Sequence, residues 1–255
     1  MRGREFAKYT PMGFKTIITE WITKRTTRNQ VIDGPFKGMA YPGKSVGSAY
    51  CPKLIGTYEK ELFPVIAGWN DHQPEVILNV GGAEGYYAVG LARAYPQCKV
   101  IVWEAVHKGR QLISAMSRLN DVSAQIEIRG FCSHENLIEE VEKHDKCTII
   151  MDVEGAEGEL LDHKVQSFDN VEILVEIHDE IIKGVGKKII DRFSQSHQIT
   201  KIEPQKRSRE DFDSPLLYRW RFLPGFVLDK MLDEKRGYNY WLHCRPLPSL
   251  NFIEV

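Results

Sequence analysis

The chain has 255 residues, 42% of them hydrophobic and 27% charged, which is enough to bury a full α/β core. Thirty-four basic residues against 35 acidic ones leave a formal net charge of −1, so no global field pulls the chain towards nucleic acid or an anionic membrane. No apolar run approaches the roughly 20 residues that a membrane span needs. The start, Met1-Arg-Gly-Arg-Glu-Phe-Ala-Lys8, carries no secretory apolar segment. Cys51, Cys98, Cys132, Cys147 and Cys244 are odd in number and scattered, with no C-x-x-C pair. The expectation is a reduced, cytoplasmic chain.

In chain order, residues 1–70 read as an N-terminal extension or cap, and 71–255 as one domain. An amphipathic stretch from Phe14 to Ile22 precedes the basic run Lys24-Arg25-Thr26-Thr27-Arg28. Turn-rich segments follow at Gly34-Pro35-Phe36-Lys37-Gly38 and Tyr41-Pro42-Gly43. Thr57 to Ile66 is expected to be a helix capped by Thr57. Apolar strands are then expected over 76–80, 100–103, 126–129, 148–151, 173–177, 199–202 and 238–244. Helical spacing falls between them over 86–94, 109–119, 133–143 and 187–196. Such alternation is the pattern of a parallel sheet wound on both faces, and the long gap before the last strand suggests that one member is reversed. The expected fold class is therefore α/β: a Rossmann-like, doubly wound, mostly parallel seven-stranded sheet with one antiparallel strand, plus the N-terminal extension.

The stretch Val76-Ile-Leu-Asn79-Val-Gly81-Gly82-Ala83-Glu84-Gly85-Tyr86-Tyr87 is a buried strand, a glycine turn and a helix start. A turn without Cβ atoms lets a ligand approach main chain beside the positive end of a helix. The order is not the G-x-G-x-x-G of dinucleotide folds, and Glu84 would set a carboxylate where phosphates lie. S-adenosylmethionine has no phosphate and bears a positive sulfonium, so an acidic loop suits it better. The next strand ends in Glu104, 25 residues after Asn79, in the position of an acid that holds both ribose hydroxyls.

Strand four runs into Met151-Asp152-Val153-Glu154-Gly155-Ala156-Glu157, which sets carboxylates at the carboxyl end of the sheet. Glu157 falls in the first turn of the next helix, where its plain role is to complement the dipole. Strand five ends Glu176-Ile177-His178, and period-two alternation puts Glu176 and His178 on one side. Two readings stay open. His178 acts as a general base beside Asp152 and Glu154, or Asp152, Glu176 and His178 hold a divalent cation.

These residues resemble the FkbM family of class I S-adenosylmethionine-dependent methyltransferases over roughly residues 55–245. The resemblance rests on Asn79-Val-Gly81-Gly-Ala-Glu-Gly85-Tyr86-Tyr87, on Trp103-Glu104-Ala105, on Met151 to Glu157 and on Val175-Glu176-Ile177-His178. It implies S-adenosylmethionine held by Asn79, Gly81, Gly82, Glu84, Gly85, Glu104, Ser133 and Asp152, with His178, Asp152 and Glu154 facing the acceptor. Two departures stand out. Asn79 occupies the place of an acid that contacts the methionine end, and Ala83 the place of an Asn; Glu84 is close enough in sequence to compensate. Ser133 reads equally as an N-cap. Aromatics Tyr41, Tyr50, Tyr58, Trp220, Phe222, Tyr240 and Trp241 are candidates for the acceptor cleft or for core.

The expected activity is O-methylation of a hydroxyl on a small-molecule or sugar-like acceptor, without nucleic-acid or membrane partners and with a homodimer left open. Other readings are N-methylation of a peptide or amine, a nicotinamide-dependent dehydrogenase or epimerase, and a degenerate cofactor-binding domain for protein interaction.

Overall fold

A computed structural model describes residues 14–42, 49–162, 166–211, 220, 222–234 and 236–248. The leading residues Met1–Lys8 lie outside that set. Seven strands form one sheet: β1 (Val76–Val80), β2 (Lys99–Trp103), β3 (Ile126–Arg129), β4 (Cys147–Met151), β5 (Glu172–Ile177), β6 (His197–Ile202) and β7 (Tyr240–Pro246). Their order is β3-β2-β1-β4-β5-β7-β6. β7 lies antiparallel between β5 and β6, and the remaining pairs are parallel. β1 and β4 are buried at every position, as strands covered on both faces must be.

Two apolar layers cover the sheet. On one face, α4 (Tyr86–Ala94) and α5 (His107–Leu119) pack with Ile77, Val100, Val102, Ile150 and Leu174. The segment before the sheet joins this same layer through Val31, Phe36, Met39, Leu54, Leu62 and Trp69. On the other face, α6 (His134–Val141), the short α7 (Glu157–Leu160) and α8 (Val185–Phe193) contribute Leu137, Leu160, Ile189 and Phe193. Near the ends of the chain, α1 (Phe14–Thr27) and α2 (Tyr50–Ile55) lie against α9 (Gly225–Leu232). No helix among the described residues is long and apolar enough to cross a membrane, and the five cysteines are buried and form no disulfide among the described residues.

The helix expected from Thr57 is a correction. The chain makes a 3-10 turn over Lys60–Leu62, and α3 runs Phe63–His72 with a proline in its first turn. Thr57 Oγ1 caps nothing and is buried without a partner. The physical reason is Glu59, which sits in the left-handed region at φ 50°. Its carboxylate is drawn to Arg236 and to the Tyr87 hydroxyl, and that geometry breaks a helix at this point.

The strand order reverses direction between β1 and β4. The crevice outside the carboxyl ends of those two strands is where ligands bind in open α/β sheets.

Candidate active site at the β1–β4 switch point

The glycine loop is shaped first by the protein's own packing. Gly81 and Gly82 each donate an N–H to Trp103 O at 3.0 Å, and Asp152 N donates to Val80 O at 2.9 Å. A Cβ on Gly81 (φ 87°) would lie 1.7 Å from Asp152 O, and one on Gly82 would lie 2.4 Å from Val102 Cγ2. Glycine here is what lets the ends of β1, β2 and β4 close on one another. Gly85, at φ 101°, is the residue from which α4 starts.

The candidate cofactor residues divide into two groups. Asn79, Glu104 and Asp152 stand at the crevice. Asn79 is buried, and its Oδ1 has no partner. The Glu104 carboxylate accepts from Ala83 N and from Val106 N, both at 2.7 Å, so it pins the glycine loop to the end of β2. Glu84 goes elsewhere. It is fully buried, ion-paired with Lys53, and accepts from the Tyr41 hydroxyl at 2.5 Å. Lys53 in turn lies over the rings of Tyr58 and Tyr86, at 4.8 and 5.0 Å. Glu84 therefore does not stand in for the acid missing at position 79. Ser133 starts α6 in a reciprocal capping box with Asn136.

His178 is the centre of the second cluster. It follows β5, is 1% exposed, and its Nδ1 lies 2.6 Å from Glu157 Oε1. Glu157 is fully buried and also accepts from Gly155 N at 2.9 Å. That fixes the ring, with Nδ1–H donating to Glu157 and Nε2 turned to the crevice. Around Nε2 stand Asp152 Oδ1 at 3.6 Å, Glu154 Oε2 at 3.7 Å and Glu176 Oε2 at 4.0 Å, all beyond hydrogen-bond distance. Asp152 Oδ1 and Glu157 Oε2 are buried acceptors without a donor. Burial alone opposes charge on His178, but the Glu157 hydrogen bond and the Asp152 and Glu176 carboxylates outweigh it and push its pKa up to about 9. Burial, then the Glu176 charge, holds Asp152 well above the ordinary carboxylate range.

The expected metal trio is corrected in one member. Glu176 Oε1 accepts from Arg236 Nη2 at 3.1 Å, which commits it to a guanidinium. Arg236 also pairs with Glu59 and Glu61, while Arg207 pairs with Glu61 and Glu234. Among the described residues, it is Asp152, Glu154 and His178 whose ligand atoms lie within 4.8 Å of one another.

Sequence reasoning missed three partners. Glu157 orients His178, Arg236 neutralises Glu176, and Lys53 neutralises Glu84. Glu157 carried the one available signal, since the acidic residues at 152, 154 and 157 place an acid on either side of a sharp glycine turn at Gly155 (φ 107°). Of the aromatic candidates, Tyr41 holds Glu84, Tyr240 donates to Asp179 at 2.9 Å, and Trp241 is core. Phe222 is 86% exposed.

No protein-family model and no curated protein sequence matches the chain. Solved structures do match its fold. The O-methyltransferase TomG from Streptomyces achromogenes, in complex with SAM, is 10% identical at a TM-score of 0.52, over 94% of this chain and 93% of that one. An O-methyltransferase from Bacillus cereus in complex with SAH is also 10% identical, at a TM-score of 0.50, over 94% of each chain. The chain thus shares the Rossmann-like fold of these two structures, with the His178 cluster at the carboxyl ends of β4 and β5.

Proposed function

We propose that the protein is an S-adenosylmethionine-dependent methyltransferase acting on a hydroxyl of a small-molecule or sugar-like acceptor. The observation that carries this reading is His178: a buried imidazole oriented by Glu157, with its other nitrogen beside Asp152 at the carboxyl ends of β4 and β5. The residues present fit the cofactor. Asn79 Oδ1 is a buried acceptor lacking a donor, which an ammonium would supply. Glu104 accepts two main-chain bonds, and a carboxylate has about four acceptor sites, so ribose hydroxyls can still be held. The glycine loop and Asp152 would complete the cradle.

When bound, S-adenosylmethionine supplies a methyl group already activated by its sulfonium. The chain's share is then alignment and removal of one proton. His178 Nε2 is placed to take the proton of the acceptor hydroxyl. Glu157 holds the tautomer that leaves Nε2 unprotonated, and Asp152 and Glu154 stabilise the imidazolium that results.

A second reading has one specific observation behind it, the Asp152, Glu154 and His178 grouping. There a divalent cation on these three groups would lower the pKa of the acceptor hydroxyl instead. Activity removed by EDTA and restored by Mg²⁺ or Mn²⁺ selects the cation; full activity in EDTA selects the base.

The Asp152-Val-Glu-Gly-Ala-Glu157 run supports an FkbM-like subgroup. A cytoplasmic setting, without nucleic-acid or membrane partners, belongs to the same proposal. Calorimetric titration with S-adenosylhomocysteine against NAD tests the core of it. We expect S-adenosylhomocysteine to bind, and Glu104→Ala to weaken it by about 1.5–3 kcal/mol, the scale of hydrogen bonds to a charged group. Binding of NAD without S-adenosylhomocysteine overturns the reading.

A further inference from the structure

We infer that the acceptor carries an ammonium on the same frame as its reactive hydroxyl, bound by Asp152 and Glu154 beside His178, and that anionic acceptors are disfavoured. The inference rests on the methyltransferase reading above and narrows its substrate class.

The argument is a shortage of donors. Asp152, Glu154 and Glu157 have one ionic partner among the described residues, His178; no lysine or arginine there pairs with any of them. Asp152 Oδ1 and Glu157 Oε2 are buried acceptors with nothing donating to them. The adjoining network has no positive charge to spare, since Arg207 and Arg236 serve four carboxylates, Glu59, Glu61, Glu176 and Glu234. Burial, only partly offset by Arg236, raises Glu59 to about 8 in that network.

Independently, the His178 ring, 1% exposed, aims an Nε2 without a hydrogen bond into this gap. Buried polar groups find partners, so the gap is shaped for a ligand that brings donors and positive charge. The His178 imidazolium is outnumbered by the carboxyl groups of Asp152, Glu154 and Glu157, so a carboxylate or phosphate would meet an excess of like charge, the device by which sites reject wrong partners. At the rim, Ile181 and Ile182 are 45% and 49% exposed, and both donate their main-chain N–H to His178 O. Ile181 also packs on Gly155, beside Glu154. A charged floor under an apolar rim fits an amine on an apolar frame.

Three phenols that differ in charge test this: tyramine (cation), 4-ethylphenol (neutral) and 4-hydroxyphenylacetate (anion). Their affinities are measured by saturation-transfer NMR on the full chain saturated with S-adenosylhomocysteine. Tyramine should bind at least about tenfold more tightly than 4-ethylphenol, with 4-hydroxyphenylacetate weakest. Glu154→Lys should abolish that order; the side chain is 77% exposed, so the fold should survive. Equal affinities, a reversed order, or no tyramine binding overturns the inference.

The same titrations in EDTA and in Mg²⁺ separate an ammonium from a metal ion as the source of charge. Tyramine binding unaffected by either supports the ammonium. Displacement by Mg²⁺ assigns the charge to a metal and overturns the inference. The S-adenosylhomocysteine titration is scored separately. If it binds and the phenols show no order, this inference fails while the methyltransferase reading stands; if it does not bind, that reading fails whichever way the phenols order.

Discussion

Glu84 and Glu157 are both fully buried glutamates, each following a strand at the switch point, yet they are treated in opposite ways. Glu84 is closed off by Lys53 and the Tyr41 hydroxyl under a roof of tyrosine rings. Its charge is spent inside the fold, where it ties α2 and residue 41 to the glycine loop. Glu157 has His178 as its one ionic partner among the described residues, and the other nitrogen of that ring opens onto three more carboxylates. A buried ion pair that balances holds structure, whereas one that does not balance perturbs the groups facing the crevice and marks a site where chemistry can happen. Substitutions in the two clusters should therefore be felt in different measurements.

The largest effect is expected in turnover. His178→Ala should slow the reaction by roughly 10²–10⁴-fold, the worth of a positioned base, with S-adenosylhomocysteine affinity nearly unchanged. If His178 only steadied the end of β5, thermal stability would fall and turnover per folded molecule would not. Glu84→Ala should do the reverse. It strands Lys53 without its buried partner, at a cost of about 3–5 kcal/mol, and the melting temperature should drop steeply. Replacing both as Lys53→Met with Glu84→Leu should recover much of that loss, because no buried charge is then left unpaired. A melting temperature indifferent to Glu84→Ala would mean that this carboxylate faces solvent or ligand after all.

The pH response is expected to be smaller, and it sharpens the contrast. The folded-state pKa of His178 is raised to about 9 against an ordinary 6.5. Its charged form therefore stabilises the fold fully below about 6.5, and that contribution is lost as pH rises through about 9. Base catalysis needs the neutral ring, so turnover should climb over the same window. Subtracting the melting curve of His178→Ala from that of the wild type at each pH isolates the term from that of Glu59, which titrates near 8. Turnover flat from 6.5 to 9 would remove His178 from proton transfer.

Much of the fold was legible because its signals are local. The apolar run of β1, the glycine break and the spacing of α4 over Tyr86–Ala94 lie within one stretch, and the helix bounds follow from them. Asp152, Glu154 and His178 were legible as a group because parallel strands deliver their carboxyl ends to one edge. The start of α3 was not, because Glu59 leaves helical geometry for a partner in the segment before β7. Glu157 was misjudged for a related reason. A glutamate in the first turn of a helix looks the same whether it meets the dipole or a histidine, and only the packing of α7 against β5 decides. Pairings distant in sequence leave no period to read.

The smallest effect concerns Ser133, which the sequence left balanced between cofactor contact and helix cap. Its hydroxyl accepts from Asn136 N at 3.2 Å while the Asn136 side chain accepts from Ser133 N at 3.4 Å, so the side chain is occupied by α6 itself. Removing a cap of this kind costs roughly 1 kcal/mol, which in a domain of this size amounts to a few degrees of melting temperature. Ser133→Ala should therefore lower the melting point slightly and leave S-adenosylhomocysteine affinity where it was. Ser133→Asp, another good cap whose charge suits a helix N-terminus, should restore the melting point. Weakened cofactor binding by Ser133→Ala at unchanged stability would move this residue from the helix to the crevice, and with it the boundary between the part of the molecule that holds shape and the part that holds ligand.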